Sequence, residues 1–471
     1  MTRIAALIGL CAPLGTGIGT RLGARVVISL VIGVGVGLGG GATAQLEGVV
    51  PIRSIDPADA DHADLQPIAE AIGDARVVAI GEASHGDGAA HMAAARLRRF
   101  LRQSLGFGVV AMEAGLYEGH AMNAALEAGR DVRDIGPLGM PAFWRASGYA
   151  SLVIEDAWGS YFDDAPLEIA GFAPEQTAGA SIRMWPRELV ELLRGVEGVE
   201  IDAARTLGLM DRLTAAAESG NLEALLAVRD ELAALADALD AHAEAIAATH
   251  GEWALGLWRR SIGDRIWSVD RALVADLEPA GELASYNERS HRMAGHLLWL
   301  TREAYPDRKL LVRCAAWHLL TAPEHISCAP RASAIEGTRT LGERLRETLG
   351  DDLYTIAVTA AGGETGWAGG DAVPWPHAPE GSLEGLLSAA GHALAFVDLS
   401  SLPRGHPLRQ RVVSRLAGAT LAMRRHGDAD LRLRADWGEQ VDGVLFVRRM
   451  FPAPREPSPP DGAVVTVEGE T

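Results

Sequence analysis

The stretch that decides the fold runs from Val77 to Gly86 and reads VVAIGEASHG. Its first four residues form a short apolar run typical of a buried strand, and the small residues that follow are typical of a turn into a helix. This turn carries Glu82 and His85, and a second apolar run at 109–112 ends in another acid, Glu113. Ligands of α/β sheets bind beside the carboxyl ends of the strands. Strands that end in ionisable residues therefore indicate a functional site.

Strands that alternate with helical patterns predict an α/β fold, in which a central, mostly parallel sheet is flanked by helices. Strand-like runs return after residue 305, at 310–312, 354–358, 393–397 and 444–447. Residues 186–282 carry apolar residues every three or four positions, which predicts a large helical insertion or subdomain. The α/β core is then expected in two parts, 45–185 and 283–452. A tail at 453–471, rich in Pro, Glu and Gly, is expected to be disordered.

The first 44 residues have the pattern of an export signal. Two arginines precede an apolar run at 26–38, and Ala42-Thr43-Ala44 supplies small residues before Gln45. This order predicts a signal peptide at 1–44 and a periplasmic or secreted mature protein. An uncleaved N-terminal anchor is the alternative. The apolar run is short and rich in glycine for a membrane span, so no stable membrane insertion is expected after cleavage.

The charge balance bears on the partners of the protein. The formal net charge is −19, and no block of Lys and Arg offsets it, which argues against a nucleic-acid partner. A small molecule is the expected partner. After signal cleavage only Cys314 and Cys328 remain. Export permits a disulfide between them, and two buried free thiols are the equal alternative.

Glu82, His85 and Glu113 are the candidate catalytic residues. A histidine flanked by two carboxylates can be held in one tautomer and made more basic, which suits removing a proton from water or a hydroxyl. His85 is therefore the candidate general base, and the alternative is a structural histidine at a strand-to-helix turn. Glu82 is also placed to cap the following helix, because carboxylates favour helix N-termini.

Three further residues are candidates for substrate binding, namely His318, Trp144 and Trp317, although core packing is the more usual fate of tryptophan. Glu82, His85, Glu113 and His318 are acceptable ligand types for zinc, but no His-x-x-x-His pair on one helix supports a metal site. Neither a metal nor another cofactor is expected. Ser84 adjoins His85, but no Gly-x-Ser-x-Gly nucleophile turn occurs.

The order of the motifs resembles the erythromycin esterase family over about residues 52–452. The matching stretches are 78–86 (VAIGEASHG), 106–113 (GFGVVAME), 292–300 (RMAGHLLWL), the strand before His318, 340–345 (TLGERL) and 350–354 (GDDLY). The resemblance implies a metal-independent hydrolase with an α/β core and a helical part closing over the cleft. Family members hydrolyse the lactone ring of macrolides. The family's proposed general base and its two supporting acids fall on His85, Glu82 and Glu113.

The chain departs from the family pattern at several polar positions. Ala89 stands where the family commonly has an acid, and Ala94 where it has an arginine. The family's Trp-Ala-His-Asn-x-His reads here Arg313-Cys314-Ala315-Ala316-Trp317-His318, so Ala315 replaces the first histidine. The sequence as a whole predicts an exported esterase-like hydrolase. The departures predict that its activity on erythromycin is weak or absent. The alternative is a catalytically attenuated relative that acts as a small-molecule binding protein.

Overall fold

The computed structural model describes residues 46–274, 281–329, 335–417 and 432–454. The predicted signal peptide and most of the predicted tail lie outside these ranges. Twelve strands occur in the described residues: β1 (Val49–Pro51), β2 (Val77–Glu82), β3 (Phe107–Gly115), β4 (Glu168–Ala173), β5 (Lys309–Ala315), β6 (Ser327–Ala329), β7 (Leu353–Thr365), β8 (Val373–Trp375), β9 (Leu394–Asp398), β10 (Val412–Ser414), β11 (Arg432–Ala435) and β12 (Gly443–Met450).

Nine of these strands form a central sheet in the described part of the chain. The order is β1-β9-β12-β7-β2-β5-β3-β4, and β8 pairs with β7 as a hairpin. From β12 to β4 all neighbours are parallel, whereas β9 and β1 are added antiparallel at one edge. The predicted α/β class with a mostly parallel sheet is therefore confirmed. A small antiparallel sheet, β10-β11-β6, lies apart from it.

The strands that end near Ile80, Met112 and Val312 are predicted to be neighbours, because short strands separated by helices favour a parallel sheet, and the structure confirms this. β5 lies between β2 and β3, and all three run in the same direction. Glu82 is paired with Ala315, and Met112 is paired with Arg313. The ends of these strands consequently lie side by side at one edge of the sheet.

Helices cover both faces of the sheet. They are α1 (Gln66–Ile72), α2 (Gly88–Leu105), α3 (Leu116–Glu127), α4 (Val132–Gly139), α5 (Ala142–Arg145), α6 (Gly148–Gly159), α7 (Gly179–Arg183), α8 (Trp185–Arg194), α9 (Ala203–Leu207), α10 (Leu209–Ser219), α11 (Leu222–Ala241), α12 (Ala243–His250), α13 (Glu252–Val274), α14 (Gly281–Trp299), α15 (Ala316–Leu319), α16 (Leu341–Leu349) and α17 (Leu383–Ala389). Within the range 186–282, which the sequence predicts to be helical, the described residues form the successive helices α8 to α13. The status of this range as an insertion or subdomain stays a prediction.

The strands bury alternate side chains in different cores, as the two-residue repeat of a strand requires. Val78 and Ile80 of β2 face one core together with the helical insertion, whereas Val77 and Ala79 face another core under α14. Both described cysteines are free and buried. Among the helices that the structure describes, none is long and apolar enough to cross a membrane.

Candidate active site

His85 lies in the short loop that joins β2 to α2. The loop is fixed by Asp87, which accepts hydrogen bonds from the backbone N–H of Ser84 at 2.8 Å and from the hydroxyl of Thr365 at 2.6 Å. Gly86 is pressed against Gly366, so that a Cβ on Gly86 would lie 2.8 Å from the carbonyl carbon of Gly366. The position of His85 is therefore set by the far end of β7 as well as by its own strand.

Glu82 holds the imidazole of His85. The distance between Oε1 of Glu82 and Nδ1 of His85 is 2.9 Å, and Nε1 of Trp144 lies 3.3 Å from the same nitrogen. One ring nitrogen cannot both donate to the carboxylate and accept from the indole. The shorter contact to a buried carboxylate decides the tautomer, so Nδ1–H donates to Glu82 and the lone pair is on Nε2. Nε2 has no hydrogen-bond partner within the described residues.

Arg313 provides the counter-charge for Glu82. Glu82 is completely buried, and Nη2 of Arg313 donates to its Oε2 at 3.0 Å while Nη1 donates to the carbonyl oxygen of Ile80 at 2.9 Å. Burial alone would raise the pKa of Glu82, but the charge of Arg313 and the hydrogen bond to His85 lower it. Glu82 is thus ionised and has an oxygen for each partner. It does not cap α2, whose N-cap residue is Asp87.

His91 braces the backbone of His85. Its Nε2–H donates to the carbonyl oxygen of His85 at 2.9 Å, and its Nδ1 faces Nη2 of Arg313 at 3.5 Å. Burial, assisted by the charge of Arg313, lowers the pKa of His91 to about 4. His91 is therefore neutral at physiological pH, which suits a residue that lies beside a guanidinium.

Glu113 forms a second buried ion pair on the other side of β5. Its Oε1 accepts from Nη2 of Arg289 at 3.0 Å and lies 3.5 Å from Nε2 of His318, and its Oε2 lies 3.4 Å from the N–H of Ala315. Burial would raise the pKa of Glu113, but His318 and Arg289 hold it well below its usual value. Arg289 is the permanent part of this effect, because a guanidinium does not lose its proton.

His318 lies between Arg289 and Tyr286. Nη1 of Arg289 lies 3.2 Å from Nε2 of His318. Nδ1 lies 3.2 Å from the hydroxyl of Tyr286, and the two rings are stacked. Arg289 also donates through Nε to Glu175 at 2.9 Å. His318 therefore belongs to the surroundings of Glu113, and its predicted role in substrate binding stays a prediction.

The two acids act together on His85. Burial lowers the pKa of His85, but the hydrogen bond to Glu82 and the charges of Glu113 and Glu82 outweigh burial, and the net effect is a raised pKa. The side chain of His85 is 22% exposed, whereas that of Glu82 is fully buried. The arrangement is a basic histidine that is oriented from the protein interior and accessible from outside.

Three aromatic rings surround His85 in the described part of the chain. Phe143 is stacked on the imidazole at 4.6 Å between ring centroids, Trp144 meets it edge-on at 5.9 Å, and Trp367 lies tilted at 6.2 Å. Trp144 is buried, and its predicted role in substrate binding stays a prediction. Trp317, in contrast, is buried in a separate apolar core, and its predicted role in substrate binding stays a prediction.

The small residues that replace family side chains lie close to this network. Ala94 is buried and lines a cavity of about 20 Å³ beside Arg313, His91 and Trp144. Arg96, the nearest arginine in sequence, points elsewhere and pairs with Asp64 through two hydrogen bonds of 2.7 and 2.8 Å. Two arginines therefore line the cavity beside Ala94: Arg313 of β5, and Arg98 of α2, which donates to Asp156 at 2.9 Å.

Sequence reasoning missed four residues of the site: Arg313, Arg289, Phe143 and Trp367. A charged residue inside the apolar strand Leu310 to Cys314 was a usable signal for Arg313, because a buried charge requires a partner. No comparable signal marks the others, which reach the site from distant parts of the chain. In the described residues, no group of three or more His, Cys, Asp or Glu side chains could hold a metal ion.

Comparisons with known proteins identify a related sequence and solved proteins with the same fold. YbfO of Bacillus subtilis (strain 168), whose name provisionally assigns it to the hydrolases, is 23% identical over 421 residues, covering 85% of this chain and 89% of YbfO. A solved protein from Bacillus cereus has the same fold, with a TM-score of 0.66 at 13% identity, over 86% of this chain and 96% of its own. A histidine-to-asparagine mutant of the erythromycin esterase EreC, in its open conformation, gives a TM-score of 0.63 at 15% identity, over 85% of this chain and 97% of EreC.

The decisive comparison is with a family model. The model described as erythromycin esterase matches residues 103–450, well over half of the chain. The matched range includes Glu113, Arg289, Arg313 and His318, while the His85 turn precedes it. The chain belongs to the erythromycin esterase family.

Proposed function

We propose that the protein hydrolyses an ester or lactone bond, with His85 as the general base that activates water. Membership of the family and the similarity to YbfO support hydrolase function. The observation that carries the finer proposal is the hydrogen bond between Glu82 and Nδ1 of His85, because it leaves a lone pair on Nε2. Glu82 and Arg313 are then positioning residues that keep this tautomer.

The reaction needs few components. Nε2 of His85 takes a proton from water, the hydroxide oxygen bonds to the ester carbonyl carbon, and the bond from that carbon to the alcohol oxygen breaks. The alcohol oxygen then receives the proton from His85, so that one ester and one water yield one acid and one alcohol. Glu113 assists through its charge, which favours the imidazolium formed during the reaction. Among the residues that the structure describes, its Oε2 has only a long contact to the N–H of Ala315, so it can also accept a hydrogen bond from water.

The replaced family residues bear on whether turnover is retained. A site that had only lost side chains would contain an open apolar hole beside His85, which would favour the binding protein of the alternative hypothesis. The cavity beside Ala94 is instead lined by Arg313, Arg98 and Trp144, and its volume of about 20 Å³ holds roughly one water molecule. A small cavity with two arginines in its wall supports a reorganised hydrolase site rather than an emptied one. Ala315 and Ala94 nevertheless support weak activity on macrolides.

We also propose that the protein acts outside the cytoplasm, after cleavage between Ala44 and Gln45. The support is the sequence pattern of residues 1–44 alone. N-terminal sequencing of the protein recovered from cells tests this step, and a chain that begins at Met1 in the membrane fraction contradicts it.

The test of the reaction is a hydrolysis screen with matched variants. The mature protein and its His85→Ala variant are assayed against esters and lactones, macrolides included. His85→Ala should lower the rate by about 10²–10⁴-fold, because it removes the proton acceptor. The variant should still fold, with an unfolding free energy lower by about 1–3 kcal/mol because the buried Glu82 loses a hydrogen-bond partner. Equal activity of the two proteins contradicts the mechanism. A parent that hydrolyses nothing but is stabilised by a small molecule favours the binding hypothesis.

A further inference from the structure

Two aromatic side chains beside His85, Phe143 and Trp367, form a pair that takes no part in the proposed proton transfer. Phe143 and Trp367 meet edge-to-face, with 5.5 Å between their ring centroids, and both rings are within 6.2 Å of the imidazole. Phe143 is half-buried and Trp367 is 44% exposed. An indole that is exposed to this extent contributes little to the core, so its position next to the candidate base calls for another explanation.

The backbone next to Trp367 is hydrogen-bonded to the loop that carries His85. Trp367 follows β7 in the β7–β8 hairpin, where the hydroxyl of Thr365 donates to Asp87 and the N–H of Gly366 donates to the carbonyl oxygen of Gly86 at 3.2 Å. The N–H of Ala453 lies within hydrogen-bond distance of the carbonyl oxygens of both Gly86 and Gly366. These contacts join the loop of the base to the loop of the indole. The backbone hydrogen bonds therefore keep the chain segment of Trp367 beside that of His85.

The pair of Phe143 and Trp367 is chemically suited to bind a flat apolar group of a ligand. Aromatic rings bind other rings in stacked or edge-to-face geometry, and a partly exposed pair offers its free faces to a ligand at low entropic cost. Acids and arginines near His85 are already paired with one another, as in Glu82–Arg313 and Glu113–Arg289. The accessible wall next to the base is therefore apolar rather than charged.

We propose that Phe143 and Trp367 form a subsite for an aromatic or similarly flat apolar group next to the scissile bond, so that aryl-bearing esters are preferred substrates. The proposal rests on the proposed esterase function and names its substrate class. Trp367 is then a residue that determines specificity. It binds the substrate and takes no part in proton transfer.

The test compares benzyl butyrate with ethyl butyrate, whose alcohols have similar acidity, so that binding rather than leaving-group chemistry separates them. The parent should prefer the benzyl ester. Trp367→Ala should raise KM for the benzyl ester by about threefold to tenfold, the usual strength of one aromatic contact, with little effect on the ethyl ester. Trp367→Phe should restore most of the preference. Trp158→Ala is the matched control, because Trp158 is 39% exposed and contacts Tyr161 instead of the site.

Several results overturn the subsite. They are the absence of a benzyl preference in the parent, an equal effect of Trp367→Ala on both esters, and an equal effect of Trp158→Ala. If neither ester is hydrolysed, the esterase proposal fails separately, and binding of benzyl butyrate is measured by calorimetry. Trp367→Ala should then weaken binding about threefold to tenfold relative to the parent and to Trp158→Ala. No binding by the parent, or unchanged binding by Trp367→Ala, removes the subsite.

Discussion

Arg313→Met is the substitution that most sharply tests how the base is prepared. Methionine keeps an unbranched side chain of moderate length and removes the positive charge that faces the buried Glu82. Removing a fixed positive charge raises the proton affinity of neighbouring groups, because the protonated state loses a repulsion. Glu82 and His85 share a hydrogen bond and titrate as a pair, so the pair should retain its proton to higher pH. The neutral imidazole needed for catalysis then forms only at higher pH.

The structure bounds the size of this effect. At 3.0 Å between Nη2 of Arg313 and Oε2 of Glu82, and with an effective dielectric constant of about 20, the attraction is about 5 kcal/mol. One pH unit corresponds to about 1.4 kcal/mol. Even if the protein relaxes around the substitution, the acid limb of the kcat/KM profile should move to higher pH by at least about one pH unit. Unfolding free energy should fall by about 3–5 kcal/mol, less the part that proton uptake recovers.

The assay is the pH profile of kcat/KM for any ester that the parent hydrolyses. Arg409→Met is the matched control, because Arg409 and Asp436 form another buried pair, at 2.7 and 3.1 Å, away from His85. It should lose comparable stability and keep the parent profile. Arg313→Lys keeps the charge and should keep most of the profile. A folded Arg313→Met protein with an unmoved acid limb refutes the reasoning.

Four further variants test the charges and the free space around His85. Glu82→Gln removes the negative charge that raises the pKa of His85. In the pH profile of kcat/KM, the acid limb should therefore move to lower pH, and the maximal rate should fall. Glu113→Gln should move the limb in the same direction while leaving the tautomer of His85 intact, and an upward movement would contradict this role of its charge. Ala94→Arg should lower the unfolding free energy by at least about 1–3 kcal/mol in chemical denaturation, because only about 20 Å³ is free beside Arg313. Adding Ala315→His to it should not produce macrolide hydrolysis while Arg313 occupies that space, and a gain of such activity would show that the space can adapt.

The mostly parallel sheet and the adjacency of β2, β5 and β3 could be predicted because the local signals agree with the global fold. Apolar runs of four or five residues that end in Glu82 and Glu113 identify buried parallel strands, and parallel strands place their carboxyl ends at one edge. The turn between β2 and α2 fixes His85 three residues after Glu82, so this contact is local in sequence. Local contacts of this kind can be inferred from spacing alone.

The partners of the two acids could not be predicted in the same way. Glu113 finds Arg289 176 residues later in the sequence, on α14, and Glu82 finds Arg313 231 residues later. No periodicity encodes such pairings, because they depend on how the helices pack over the sheet. The same applies to Trp367, which reaches His85 only through the β7–β8 hairpin. The expected helix cap at Glu82 failed because the buried arginine and the imidazole use both of its oxygens.

The most direct test of the central claim is a titration of His85 itself. The protein is labelled with ¹³C-histidine, and the His85 resonance is identified as the one that is lost in His85→Asn. The pKa of His85 from this titration is compared with the pKa that governs the pH profile of kcat/KM, because that profile reports the free enzyme. The two values should coincide and lie above the ordinary histidine value of about 6.5. A His85 that titrates apart from the kinetic transition, or below the ordinary value, would contradict its assignment as the general base.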